Sequence, residues 1–107
     1  MRTHQEIDER SLELARAVVA KIDGDPQREG LCCARDTCAR WFRQNPAPAI
    51  AEWLTILQEE WERVRLVLLD ETENGQRLRQ NNPFCGVLTP NERWEIYRRF
   101  AHGQTAA

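Results

Sequence analysis

Apolar residues recur with helical spacing in the middle of the chain, and this pattern constrains the fold more than any other feature. At about 100° per residue, the repeating positions fall within one narrow arc of a helical wheel. They are Ile50, Trp53, Leu54, Leu57, Trp61, Val64 and Leu68. The pattern predicts one long helix that begins near Ala49, with a kink at residues 58–60 as the alternative. A helix with such a face must pack against other helices, which predicts an all-α fold.

The N-terminal part of the chain predicts two more helices. The first covers about residues 4–23 and ends at Gly24, and its apolar arc of roughly 160° requires two packing neighbours. Asp25 and Pro26 are typical of an N-cap and a first helical position, so the second helix is expected to begin there and to extend to about Gln44. The expected core faces are Ile7, Ser11, Leu14, Val18 and Ile22 in the first helix, and Leu31, Ala34, Cys38, Trp41 and Phe42 in the second.

Proline and glycine divide the remaining chain. Residues 46–48, Pro-Ala-Pro, exclude helix and predict a short rigid corner. A short helix is expected from about Glu71 to Gln80, although Gly75 costs it about 1 kcal/mol relative to Ala. Residues 81–83, Asn-Asn-Pro, end this helix.

The stretch Thr89-Pro90-Asn91-Glu92 is the strongest boundary signal, because it has the sequence of a capping box with proline at the first helical position. It predicts a last helix after a turn at residues 84–88. The turn and this helix are expected to close over the end of the long helix, and residues from about 103 to 107 to form a flexible tail. The predicted fold is therefore a single helical domain, residues 1–107, built as a single compact bundle of four to five helices.

Charge is nearly balanced over the chain but unevenly distributed. The formal net charge is −2, which argues against bulk electrostatic attraction to nucleic acid or to an anionic membrane. Residues 46–75 contain seven acidic residues and two arginines, whereas residues 76–107 contain five arginines and two acidic residues. The middle and the end of the chain can therefore attract each other, either within one molecule or between two copies.

No segment has the pattern of an export signal or a membrane span. A charged start followed by an apolar stretch is absent, so no signal peptide is expected. The apolar run at residues 66–69 is far too short to cross a bilayer. We therefore expect a cytoplasmic protein whose four cysteines stay reduced.

The potential metal ligands do not have the spacing of a zinc site, which uses pairs about two to four residues apart. They are Cys32, Cys33, Cys38, Cys85, His4 and His102. Cys38 and Cys85 are expected to be core residues and Cys33 an exposed thiol. The chain also lacks a phosphate-binding glycine loop and the surroundings that activate a cysteine. We expect no catalytic residue, no metal, no cofactor and no enzymatic activity.

Basic and amide side chains flank the turn at residues 84–88. They offer a surface to another protein or to a second copy or, as the alternative, to nucleic acid in the manner of a helix-turn-helix. That alternative makes the protein a small nucleic-acid-binding regulator and depends on Arg77, Arg79, Arg98 and Arg99, which are few for tight phosphate binding. The candidate partner-binding residues are Arg77, Arg79, Asn81, Asn82, Arg93, Arg98 and Arg99.

Arg93 falls inside the apolar arc of the last helix, which is expected to be mostly buried. A charge there requires a partner. Either Arg93 pairs with an acid in residues 70–73 or with carbonyls of the turn, or it anchors a partner chain. The tryptophans are expected in the core, and one of them can be shared with a partner, because Trp and Arg are enriched at interface hot spots. The four tryptophans are Trp41, Trp53, Trp61 and Trp94. The other residues of the last helix that are expected to be buried are Ile96, Tyr97 and Phe100.

The segment from Arg77 to Trp94 resembles the closing segment of a group of small uncharacterised bacterial all-helical proteins. Their shared pattern is R-L-R-Q-x-x-P-F-x-G-V-L-x-P-x-E-R-W, and some are associated with toxin–antitoxin-like gene pairs. The matching residues are Arg77-Leu78-Arg79-Gln80, Pro83-Phe84, Gly86-Val87-Leu88, Pro90 and Glu92-Arg93-Trp94. The resemblance implies a partner-binding, antitoxin-like role without a particular activity. The leading hypothesis is a non-enzymatic protein–protein interaction module that presents the C-terminal turn and last helix to a partner.

Overall fold

The computed structural model describes residues 4–106, with side chains from Asp8 to Arg99. The predicted core positions Ile7 and Phe100, and both histidines, lie outside the described side chains. Residues 4–106 form six helices: α1 (His4–Asp23), α2 (Glu29–Gln44), α3 (Pro48–Ile56), α4 (Trp61–Leu68), α5 (Glu73–Arg79) and α6 (Pro90–Ala106). The all-α prediction is confirmed, and the expected four to five helices become six. Within the described range, no helix combines the length and apolar character that a membrane span requires.

Helix α1 lies at the centre of the fold. It packs against α2, α4, α5 and α6, while α3 packs on α2. Its buried residues are Val18 and Ile22, which belong to the predicted core face, and their neighbours Ala15 and Val19. The radius of gyration is 14.1 Å, close to the roughly 13 Å expected of a compact domain of this size. The wide apolar arc of α1 therefore serves more neighbours than the two that the sequence indicates.

Helix α2 begins about one turn later than predicted, because Asp25 is not its N-cap. That position belongs to Arg28, whose backbone is left-handed at φ 53°. Asp25 still accepts hydrogen bonds from the backbone N–H groups of Gln27 (3.1 Å) and Glu29 (2.8 Å). The Nη1 of Arg28 donates to the carbonyl of Ile22 at 2.8 Å and so closes the end of α1. The side chains of Asp25 and Arg28 thus stabilise the turn that connects α1 to α2.

The long helix predicted from the apolar repeat is divided into α3 and α4, at the place where a kink was the alternative. Residues 57–60 interrupt it. Arg35 on α2 satisfies carbonyls at the interruption: its Nε donates to Leu57 O at 2.7 Å and its Nη2 to Glu59 O at 3.4 Å. The predicted core face is still buried on both sides, at Ile50, Trp53, Leu57, Trp61, Val64 and Leu68. Periodicity therefore identified the buried face correctly but not the break in the backbone.

Helix α5 is attached closely to the end of α4. Thr72 is its N-cap, and the Thr72 hydroxyl accepts a hydrogen bond from Gly75 N–H at 3.4 Å. A Cβ at Gly75 would lie only 2.1 Å from the Asp70 carbonyl oxygen. Glycine is the one residue type that permits this approach of two backbone segments. Gly75, predicted as a cost to the helix, is therefore required by the packing.

Helix α6 begins as predicted with a reciprocal capping box. The backbone N–H of Thr89 donates to Glu92 Oε1 at 2.8 Å, and the N–H of Glu92 donates to Thr89 Oγ1 at 3.1 Å. The helix extends to Ala106 and includes most of the segment for which a tail is predicted. The flexibility of that segment stays a prediction.

Candidate partner-binding surface

Arg79 is an interior residue, not the surface residue that the sequence predicts. Its side chain is buried, with 5% of the residue exposed. Its Nη1 donates to the carbonyls of Leu68 (3.1 Å) and Asp70 (2.5 Å), and its Nε donates to the Ser11 hydroxyl (3.2 Å). Burial lowers the pKa of Arg79, an effect that the nearby carboxylate of Asp70 opposes. Arg79 therefore joins α1, α4 and α5 and is not available to a partner.

Arg77 is exposed, but its guanidinium is engaged within the chain. Its two Nη atoms donate to the Glu52 carboxylate at 2.6 and 3.2 Å, and Nη2 also donates to Asn74 Oδ1 at 2.6 Å. The hydrogen bond with Glu52 raises the pKa of Arg77, and the same bond lowers the pKa of Glu52. This pair joins α5 to α3. It follows that Arg77 can contact a partner only by exchanging these bonds for new ones.

The two predicted asparagines differ in role. The side chain of Asn82 accepts a hydrogen bond from Phe84 N–H at 2.8 Å, which shapes the backbone around Pro83. Asn81 is exposed, and its backbone N–H donates to Leu78 O at 3.1 Å. Asn82 is therefore a structural residue of the turn, while Asn81 remains accessible.

The turn at residues 84–88 is anchored in the core by Phe84, which is 1% exposed. The Phe84 ring lies 6.0 Å from the ring of Trp53 and 6.5 Å from that of Trp61, measured between centroids. Trp53 also donates from Nε1 to Leu78 O at 2.8 Å. Because Trp53 lies on α3 and Trp61 begins α4, Phe84 packs against both helices and fastens the turn to them.

The cysteines divide differently from the prediction. Cys38 is buried as expected; its Sγ donates to Ile50 O at 3.6 Å, and burial raises its pKa. Cys85 is exposed, because the turn directs Phe84 inward and leaves its neighbour outside, so its expected place in the core is wrong. Cys33 is exposed as predicted, and so is Cys32. Among the described residues, no three metal-ligating side chains are grouped in a way that would hold a metal ion.

Arg93 does not form the buried pair that the sequence favours. It is half-buried, and its guanidinium makes no hydrogen bond or ion pair with any other described residue; only its backbone N–H is bonded, to the carbonyl of Thr89 at 3.0 Å. The first of its expected partners, Asp70, instead accepts a bond from the backbone N–H of Thr72 at 2.9 Å. The buried arginine that bonds to groups in the chain is Arg79, whose guanidinium donates to the carbonyls of Leu68 and Asp70.

One side of α6 attaches it to α1. Ile96 is buried, with 3% exposed. Lys21 Nζ donates to Glu92 Oε1 at 2.7 Å and to the carbonyl of Val87 at 2.9 Å. Farther along the helix, the guanidinium of Arg10 lies 5.1 Å from the centroid of the Tyr97 ring. These contacts fix the orientation of α6 on the domain.

The opposite side carries an exposed tryptophan. Trp94 is 63% exposed and lies about 160° around the helix from Ile96. The same wheel places Asn91 and Arg98 beside Trp94, with Tyr97 (36% exposed) at the edge. Arg98 forms an ion pair with Glu95, and Arg99 is exposed without one among the described residues. We call Asn91, Trp94, Tyr97 and Arg98 the outer face of α6.

The sequence predicted Arg98 as a partner-binding residue, but it placed Trp94 and Tyr97 in the core. A usable signal was present, because Trp94 and Ile96 are two residues apart and cannot share one narrow helical stripe. Of the four arginines on which the nucleic-acid alternative depends, Arg79 is buried, Arg77 and Arg98 are each paired with a glutamate, and Arg99 is exposed without an ion pair among the described residues. Against known proteins, no family model, no curated protein and no solved structure matches the chain.

Proposed function

We propose that this protein is a non-enzymatic interaction module that binds a protein partner through the outer face of α6. The observation that carries this proposal is Trp94, a large aromatic side chain with 63% of its surface exposed. Tryptophan, tyrosine and arginine are the residue types that most often dominate binding energy at interfaces. The outer face brings one of each together within about two helical turns.

The way α6 is held supports this role. The capping box fixes the first turn, Lys21 bonds to Glu92, and Ile96 is buried against the domain. A side chain presented on a rigid helix loses less conformational entropy on binding than one on a mobile loop. The geometry suits a partner with an apolar groove that takes one face of a helix.

The proposal differs from the sequence hypothesis in its contact residues. The turn at residues 84–88 and Arg79 anchor the surface, and the contact is assigned to α6 alone. The antitoxin-like role implied by the resemblance is one form that such a module can take. An antitoxin-like role would specify which protein is bound, whereas the outer face specifies which residues of this chain make the contact.

Site-specific photo-crosslinking in the native cell tests this proposal. A photoreactive amino acid at Asn91 places the crosslinker beside Trp94 while keeping the tryptophan. The matched control carries the same crosslinker at Arg40, an exposed position on α2. We expect a discrete crosslinked product from position 91 that is absent from position 40 and is lost when Trp94→Ala is added. Equal products from both positions, or a product that survives Trp94→Ala, would contradict the proposal.

A further inference from the structure

Two large apolar side chains stand out on the surface. Among the described residues, Leu66 on α4 is 62% exposed and Trp94 on α6 is 63% exposed. With so much of both surfaces open to solvent, neither side chain covers the other within one molecule. Leu66 belongs to the acidic segment, residues 46–75, and Trp94 to the basic segment, residues 76–107.

Leu66 borders a groove beside the α3–α4 break, with a volume of about 280 Å³. Its lining residues are Thr55, Ile56, Glu59, Arg63, Leu66 and Val67. Ile56 and Val67 are half-buried and give the groove an apolar floor. A tryptophan removes about 150–250 Å² of surface from water when it is buried, so filling such a groove gives a sizeable hydrophobic gain.

The two chain segments that carry these surfaces have formal charges of opposite sign: seven acids against two arginines in residues 46–75, and five arginines against two acids in residues 76–107. Glu59 lines the groove, Glu62 lies one helical turn before Leu66 on α4, and Glu60 lies between them in the sequence; all three are exposed and form no ion pair with another described residue. Two bases lie nearby: Arg63, which also lines the groove, and Arg35, whose Nη2 donates to the carbonyl of Glu59 at 3.4 Å. On α6, Arg98 lies beside Trp94 and pairs with Glu95, whereas the half-buried Arg93 and the exposed Arg99 form no ion pair with another described residue. Opposite charges at the rim of an interface steer association and fix its orientation.

The geometry points to a second copy of this chain as the occupant of the groove: we infer that Trp94 of one molecule inserts between Ile56, Leu66 and Val67 of another. This inference rests on the proposed function, because it uses the same outer face of α6. The contact joins two different surfaces, so each molecule carries one donor tryptophan and one acceptor groove. The association is weak, because the contact is small, and salt weakens it further, because the charges at its rim are exposed.

Sedimentation velocity over an approximately hundredfold range of protein concentration tests this association. In low salt we expect the average mass of the wild type to rise with concentration, and to rise less in high salt. Trp94→Ala removes the donor and Leu66→Gln removes the apolar wall of the acceptor without a change of charge. Each variant alone should remain monomeric, and Arg40→Ala, the matched surface control, should behave as the wild type. Circular dichroism verifies that all four proteins are equally helical.

Mixing the two variants gives the decisive result. The Trp94→Ala protein keeps its groove and the Leu66→Gln protein keeps its tryptophan, so an equimolar mixture should form a dimer that grows no further. A wild type that stays monomeric, or a mixture that stays monomeric while the wild type associates, would overturn the inference. Crosslinking from Asn91 separates the two proposals: a product containing a different protein, with a monomeric wild type, removes self-association and leaves the proposed function standing.

Discussion

The segment at residues 73–88 and helix α6 are neighbours in the sequence and both contain arginines and aromatic rings, but these side chains lie in opposite environments. In the first, Arg79 is 5% exposed and Phe84 is 1% exposed. In the second, Trp94 is 63% exposed, and Arg98 and Arg99 also lie on the surface. A similar concentration of arginines and aromatic rings therefore forms an internal anchor in one region and an exposed face in the other.

The reason lies in where each region finds partners for its polar groups. Helix α4 ends at Leu68, and the carbonyls of Leu68 and of Asp70 just beyond it accept hydrogen bonds from the side chain of Arg79. Because the donor is the guanidinium of Arg79, the end of α5 that carries this residue packs in the interior. Helix α6 satisfies its own first turn through Thr89 and Glu92, so it needs to bury only one side. The other side, which carries Trp94, remains exposed.

The largest expected difference in the free energy of unfolding is between substitution of the buried ring of Phe84 and substitution of the exposed ring of Trp94. Phe84→Ala should lower the free energy of unfolding by about 3–5 kcal/mol, because it leaves a cavity between Trp53 and Trp61. Trp94→Ala should change it by no more than about 0.5 kcal/mol, because the ring lies on the surface. Urea denaturation of both variants measures the difference. Similar losses in the two variants would mean that Trp94 is part of the core and that the comparison fails.

The two arginines give the next largest difference. Arg79→Met retains most of the side-chain volume but leaves the carbonyls of Leu68 and Asp70 without their donor. The loss of stability should be about 2–4 kcal/mol, the cost of unsatisfied buried groups. Arg93→Met is the matched control and should stay within about 0.5 kcal/mol of the wild type. Chemical denaturation measures the stability change of both variants. A larger loss of stability for Arg93→Met than for Arg79→Met would support the structural role that the sequence predicts for Arg93.

The features that could be predicted from the sequence are those whose partners are close along the chain. The capping box joins Thr89 to Glu92, and the apolar repeats of α1 and of the α3–α4 region identify their buried faces. The features that escaped prediction depend on distant partners. Arg79 bonds to Ser11, 68 residues away, and the break after α3 is stabilised by Arg35, 22 residues from Leu57. No local pattern contains that information.

The candidate surface was predicted only in part, for a related reason. Arginine is compatible with both an exposed position and a satisfied interior position, so Arg79 and Arg98 look alike in the sequence. What distinguishes them is the supply of unpaired carbonyls at the place where the fold brings each one. Trp94 could have been recognised from its separation from Ile96 on the wheel, whereas the exposure of Leu66 depends on how α4 is oriented after the break.

A smaller effect tests whether α6 is held mainly by local contacts. Thr89→Ala removes the hydroxyl that accepts from Glu92 N–H, and it should cost about 0.5–2 kcal/mol. Thr55→Ala is a suitable control, because Thr55 is an exposed threonine inside α3 and should change stability by less than about 0.5 kcal/mol. Urea melts of both variants provide the measurement. Indistinguishable melts for Thr89→Ala and the wild type would show that the cap does not stabilise α6.

The smallest expected effect concerns the ion pair that ties α6 to α1. The hydrogen bond from Lys21, assisted by the backbone N–H of Thr89, lowers the pKa of Glu92 from its ordinary value of 4.5 to about 2. A carboxylate whose pKa is lowered by folding stabilises the fold above its unfolded pKa and loses that contribution as pH falls towards its folded pKa. Glu92→Gln keeps an acceptor for Thr89 N–H but removes the charge.

The stability advantage of the wild type over Glu92→Gln should therefore be constant above about pH 4.5 and should disappear between about pH 4.5 and 2. Other carboxylates with lowered pKa values, at Asp23, Glu52 and Asp70, titrate in the same direction, but their contributions cancel when the two proteins are compared at each pH. Thermal melts across this range measure the difference. An advantage that persists to pH 2 would mean that charge does not hold α6 to α1. In that case the buried contact of Ile96 and the capping box alone orient the outer face.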